Sequence, residues 1–185
     1  MRGNEQRFEL RSRTREGHQQ VDAAVGTLST LEDYRHYVAR LLPFRIAMEE
    51  ALRNVAWPDG WNRQPCKIAD TLAQDATDLG LSPMRHPQAD LDLADPSALL
   101  GALYVLEGST LGARVLCHRA AALGLDETFG ARHLVLMSND TTRWPSFLSL
   151  LDQANDFDVE RAANAANAVF ALALKCFEGE PVVAH

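Results

Sequence analysis

His18 and Asp22 stand four residues apart with neither proline nor glycine between them, so on a helix they share one face. An imidazole placed in this way can offer one ring nitrogen to a metal while the other donates a hydrogen bond to the carboxylate. That second bond fixes the ring and makes it a stronger ligand. A hydrogen-bonded structural histidine would carry the same pair. Gly108 and Gly112 form a second pair at helical spacing. Each costs about 1 kcal/mol relative to alanine inside a helix, and together they strip one face of its side chains. Such a face suits either the close approach of another helix or a flat ligand lying on the backbone, with the helix bending around it at the glycines. In the second case Leu103, Tyr104, Val105, Leu106 and Leu111 supply an apolar wall, with Tyr104 lining the ligand or filling the core. Arg11, two turns before His18 on the same stripe, either meets an anionic group at the ligand's edge or is simply solvated.

The elements that position these residues are all helical. From about Glu5, Arg11, Thr14, His18, Val21 and Val25 recur at spacings of three and four, with Gly26 as the stop. Ser29-Thr30-Leu31-Glu32 reads as a capping box opening a second helix that continues through Ile46 and Leu52, with a kink expected at Pro43. Trp57-Pro58-Asp59-Gly60 is a turn. Ile68, Leu72, Ala76 and Leu79 mark a third helix, followed by a loop over 82–95 containing Pro83 and Pro87. Asp95-Pro96 starts the helix that carries the glycines and runs to about Gly124. Residues 126–142 read as a short helix and a polar turn. Two further helices cover Trp144 to Gln153 and Asp158 to Glu178, the last burying Ala162, Ala166, Phe170, Ala173 and Phe177. The expected fold is all-α, a single domain over 1–185.

The chain has 185 residues with 18 Lys+Arg against 25 Asp+Glu, a net charge of −7 that argues against a general nucleic-acid binder. No run approaches the roughly 20 apolar residues that cross a bilayer. The polar N-terminus lacks a secretory h-region. Cys66, Cys117 and Cys176 are odd in number and far apart, which suits reduced thiols and a cytoplasmic location, with no membrane partner expected.

Two segments carry a resemblance. Leu10-Arg11-Ser12-Arg13-Thr14-Arg15-Glu16-Gly17-His18 is similar to the N-terminal heme-ligand motif of the heme oxygenases, and Ala102 to Gly112 resembles the distal-helix motif of the family's bacterial branch. Lys67 to Leu79, Trp144, Phe147 and the Ala162/Ala166/Phe170 run resemble its other helices. The resemblance implies a helical bundle that opens heme to biliverdin, carbon monoxide and ferrous iron. Heme b would be both substrate and cofactor, with O2 as oxidant. His18 would be the iron ligand with Asp22 beside it. Gly108, Ser109 and Gly112 would act on the distal side, Arg11 would pair with a propionate, and Thr14, Tyr104 and Leu111 would line the heme. Electrons would come from an external donor, a ferredoxin or flavoprotein reductase, because no flavin, nicotinamide or Fe–S fingerprint is present. A bilin-accepting photoreceptor is a further partner it implies.

Two departures from the family pattern stand out. Ala113 replaces the second glycine of the usual pair, and Arg143 is the nearest counterpart to the C-terminal basic residues that meet propionates in some members. They keep a non-catalytic heme-binding or heme-sensing protein of the same fold as an alternative. A carboxylate-bridged di-metal bundle has only Asp33 and His36 as an acidic-x-x-His element, where two are needed. A purely structural module leaves both residue pairs unexplained.

Overall fold

Residues 2–61, 64–82 and 85–179 are described by a computed structural model, with side chains from Glu5 onward. They form α1 (Arg2–Val25), α2 (Leu31–Ala51), α3 (Ala69–Asp78), α4 (Pro96–Ala122), α5 (Arg132–Asn139), α6 (Arg143–Gln153) and α7 (Val159–Glu178), with no strand among them. The expected loop over 82–95 is irregular where described; Pro83 lies outside the described residues.

Local chemistry explains most of the boundaries. Asp95 caps α4 by accepting from the Ala98 amide at 2.9 Å, with Pro96 at the first helical position where no N–H is needed. Asp158 caps α7 in the same way. The box opening α2 lies one residue beyond the Ser29/Glu32 reading. Thr30 is the cap, its hydroxyl accepting from the Asp33 amide while the Asp33 carboxylate accepts from the Thr30 amide at 3.0 Å. α2 runs unbroken through Pro43. Gly26, at φ +71°, turns the chain out of α1 in the left-handed region.

The helices assemble around α7, which lies along α4, α1 and α2. Its stripe of small residues, Ala162, Ala163, Ala166 and Ala173, is buried and lets neighbouring backbones come close; Phe177 is only partly buried, less than its spacing suggested. The tightest approach is at Gly101 of α4, where a Cβ would stand 2.0 Å from the Ala162 carbonyl oxygen. By length and hydropathy α4 would suffice to cross a membrane, which the sequence reading did not register; more than half of that stretch is buried, as in a core helix. One core centres on Leu10, Met48, Leu99, Leu103, Phe147 and Val169, a second on Tyr34, Val38, Leu72, Ala113 and Leu134.

The second core encloses a polar knot. Asp75 of α3 is fully buried and receives the amides of Arg132 and His133 at 3.1 and 3.0 Å, so it caps α5 from another helix. Its Oδ2 lies 2.7 Å from His133 Nδ1, and His133 Nε2 lies 3.4 Å from the Tyr37 hydroxyl. Burial pushes the His133 pKa below its ordinary 6.5, a shift Asp75 only partly opposes. Burial alone would raise the Asp75 pKa, but hydrogen bonds from His133 and Arg132 outweigh it and hold the carboxyl below its ordinary value.

Two outcomes follow from this packing. Gly101→Ala should destabilise the fold by about 3 kcal/mol in urea unfolding, because backbone rather than a yielding side chain occupies the space. Below pH 6.5 the unfolded chain protonates a histidine that the folded chain keeps neutral, and below 3.8 it protonates an Asp75 that the folded chain keeps charged. Stability should therefore fall as pH drops from about 7. His133→Gln should flatten the upper part of that limb, read as the urea midpoint against pH.

Candidate active site

α1 and α4 both lie against α7, and two points show how they face each other. Near the start, the Tyr104 phenol lies beside Thr14 and Arg11. Burial raises its pKa, and those two neighbours partly offset the effect. Near the end, Arg119 Nη1 reaches the Gly26 carbonyl oxygen at 3.4 Å. Thr14 precedes Gly26 as Tyr104 precedes Arg119, so the two helices run in the same sense. Between these contacts lie about 18 Å of α1 and about 22 Å of α4 at 1.5 Å per residue.

The facing surfaces follow from the helical period. On α1 the stripe through Thr14 continues to His18 and Asp22; on α4 the stripe through Tyr104 continues to Gly108, Leu111, Gly112 and Val115. His18 Nδ1 lies 3.0 Å from Asp22 Oδ2, and the two side chains are 62% and 68% exposed. Among the described residues, the hydrogen-bond contacts give Nε2 no partner. The ring meets Phe170 of α7 edge-on at 5.9 Å. Gly17 makes that possible, because a Cβ there would stand 2.9 Å from Phe170 Cβ. On α4, a Cβ on Gly112 would meet nothing within 4 Å. Leu111 and Val115 are 50% and 53% exposed, an uncovered apolar edge beside the bare backbone.

The remaining sequence candidates fall around this slot. Thr14 is buried at the helix crossing, its hydroxyl donating to the Leu10 carbonyl at 2.8 Å. Arg11 is exposed at that end. Ser109 donates to the Leu106 carbonyl at 2.6 Å and Thr110 to the Glu107 carbonyl at 2.6 Å, side-chain bonds of the kind that bend helices. Tyr104 packs on Trp144 and Phe147 at 5.5 and 6.4 Å between ring centres. A hollow of about 430 Å³ lies elsewhere, lined by Gly26, Asp33, His36, Tyr37, Arg40 and Phe177, and holds none of the heme-site candidates.

Several features escaped the sequence reading. Trp144 lies against Gly108, 3.5 Å from where a Cβ would be. Arg143 is held by Glu107, at 2.9 Å from Nε to Oε2 and 2.7 Å from Nη2 to Oε1, so it is not a free cation for a propionate. Ala113, which the sequence left free either to narrow the site or to face away from it, points into the second core. Asp33 is engaged in the α2 cap, and no three His, Cys, Asp or Glu side chains converge among the described residues, which removes support for the di-metal reading.

A family model described as Heme oxygenase matches residues 83–179, the span from the approach to α4 through α7. Heme oxygenase PigA of Pseudomonas aeruginosa is 34% identical over 172 residues, 85% of this chain and 83% of that protein. The chain belongs to the heme oxygenase family. The NO- and CO-bound heme oxygenase from Neisseria meningitidis shares its fold, with a TM-score of 0.69, 23% identity, and 93% of this chain and 96% of that chain covered. For a heme oxygenase, the slot between α1 and α4 has suitable chemistry. It presents an exposed imidazole on α1, an uncovered backbone position at Gly112 on α4 and an apolar edge.

Whether that backbone is bare or packed can be measured in the heme-free protein. Gly112→Ala should leave stability unchanged or raise it by up to about 1 kcal/mol through helix propensity. A loss as large as that of Gly101→Ala would mean a packed face and no slot.

Proposed function

We propose that this chain oxidatively cleaves heme to biliverdin, carbon monoxide and ferrous iron, with heme held between α1 and α4 and its iron on His18. What supports this is that His18, braced by Asp22, is exposed on α1, while α4, which meets α1 at Tyr104 and Arg119, has an uncovered backbone position at Gly112. Bound heme supplies the iron and the conjugated ring that react with O2 and electrons, and the ring is itself the substrate.

The chain's own residues do the rest. Asp22 accepts from His18 Nδ1, which orients the ring and fixes the tautomer that leaves Nε2 as the ligand. Gly112 lets the α4 backbone approach the substrate where any side chain would hold it off, and Gly108, one turn earlier, makes room for the Trp144 ring beside it. Ser109 lies on the exposed surface of α4 with its proton committed to Leu106, so its remaining lone pairs can accept from water. Tyr104 stays protonated and closes the start of the slot with Thr14, where Arg11 meets a propionate. Leu111 and Val115 cover the substrate's apolar surface and limit water. Electrons come from outside, through a ferredoxin or flavoprotein reductase. Ala113 does not narrow the slot, so it gives no support to a non-catalytic heme carrier.

Hemin titration of the wild type and of His18→Ala tests the reading. The expected result is a Soret band that requires His18 and gives way to the broad red absorption of biliverdin when ascorbate or a ferredoxin system is added in air. Asp22→Asn should weaken hemin binding by about 10–100-fold. A His18-dependent band that survives reduction unchanged would mean a carrier, and absence of stoichiometric binding would overturn the site.

A further inference from the structure

Glu107 is the residue before Gly108, and it is 1% exposed. Its carboxylate takes both arms of the Arg143 guanidinium, at 2.7 and 2.9 Å, while Arg143 Nη2 also donates to the Gln64 carbonyl at 3.0 Å. The next residue on each side of that pair is also in contact, the Trp144 ring lying against Gly108. Two adjacent residues of α4 therefore meet two adjacent residues of α6, one contact ionic and directional, the other apolar. A fork-to-fork pair fixes distance and rotation together, which a point charge does not.

The pair is backed from below. Arg45 of α2 is almost fully buried, donates to the Cys66 carbonyl and lies near Glu49, with the Glu107 charge also in range. Glu49 Oε1 in turn accepts the amides of Ile68 and Ala69 at 2.7 and 3.0 Å at the start of α3. The segment 64–69 and helices α2, α4 and α6 are thus tied together under the point where α4 loses its side chains.

We propose that Glu107 and Arg143 are positioning residues for the oxidation: with Trp144 on Gly108, their buried pair sets the height and rotation of α4 over the slot, and thereby which ring carbon lies under the glycine backbone. This rests on the heme reading above. A sideways shift of α4 of even about 1 Å changes which edge of a flat substrate it faces, while His18, on α1, is untouched.

Two variants test this. Arg143→Lys keeps the charge and loses the fork. Glu107→Leu with Arg143→Met removes the pair without leaving a lone buried charge, an exchange such pairs commonly tolerate. Leu72→Ala, in the second core, serves as a control for general destabilisation. In the heme-free protein, amides of residues 106–112 should exchange about tenfold faster in both variants than in the control. Hemin affinity should stay within about threefold of wild type, because the iron ligand and apolar edge remain. The ratio of biliverdin isomers should change by at least about twofold, with the lysine variant the milder. Wild-type exchange and isomer ratios in both variants would overturn the inference, as would turnover lost only in proportion to unfolding, as in Leu72→Ala. A wild-type chain with no His18-dependent Soret band would overturn the heme reading and this inference together, so the two failures are distinguishable.

Discussion

The backbone of α4 reaches α7 only because Gly101 has no side chain, and the rest of the architecture is built on that approach. A carbonyl oxygen of α7 occupies the position a Cβ would take, so even one methyl would push the helices apart. On the other flank, Gly17 lets α1 close on Phe170 and brings His18 over the same helix. With both helices seated on α7, the surfaces they turn towards each other are set by helical period alone. Glycine then serves the opposite purpose at Gly112, where it keeps space open. Gly17, Gly101 and Gly108 make contact and Gly112 withholds it, and nothing in the residue type separates these roles.

Charge is handled in a comparable way. The surface is acidic, but buried charges are paired across helices distant in sequence: Asp75 with Arg132 and His133, Glu107 with Arg143. Removing one partner from such a pair is costly, whereas replacing both by apolar groups often is not, so their value lies in the arrangement they specify. Asp75 specifies where α5 begins, since the amides of that helix point at a carboxylate from α3. Glu107 specifies where α6 meets α4.

Exposure sorts the functional candidates from the structural ones. His18 and His133 both lie beside an aspartate at hydrogen-bond distance, yet His133 is fully enclosed and its second nitrogen faces Tyr37. It can act only within the fold. His18 keeps one nitrogen free on an open face, the minimum a ligand needs, and the acidic partner on its own helix is held there by the four-residue spacing.

The sequence by itself determined the helices, because period, caps and stops act within a few residues. The Asp95-Pro96 cap, the Gly26 stop and the His18–Asp22 pairing were all legible in this way. The Thr30 box was misread by one residue because Ser29-Thr30 offers two hydroxyls in succession, and only backbone geometry chooses between them. Tertiary structure alone decided that Gly101 packs while Gly112 stays open, that Ala113 faces the core, and that Arg143 belongs to Glu107. It also decided that His133 belongs to Asp75, 58 positions away. Those outcomes depend on which helix lies opposite. Local periodicity says which residues share a face, but the neighbour of that face is chosen by the packing of the whole bundle.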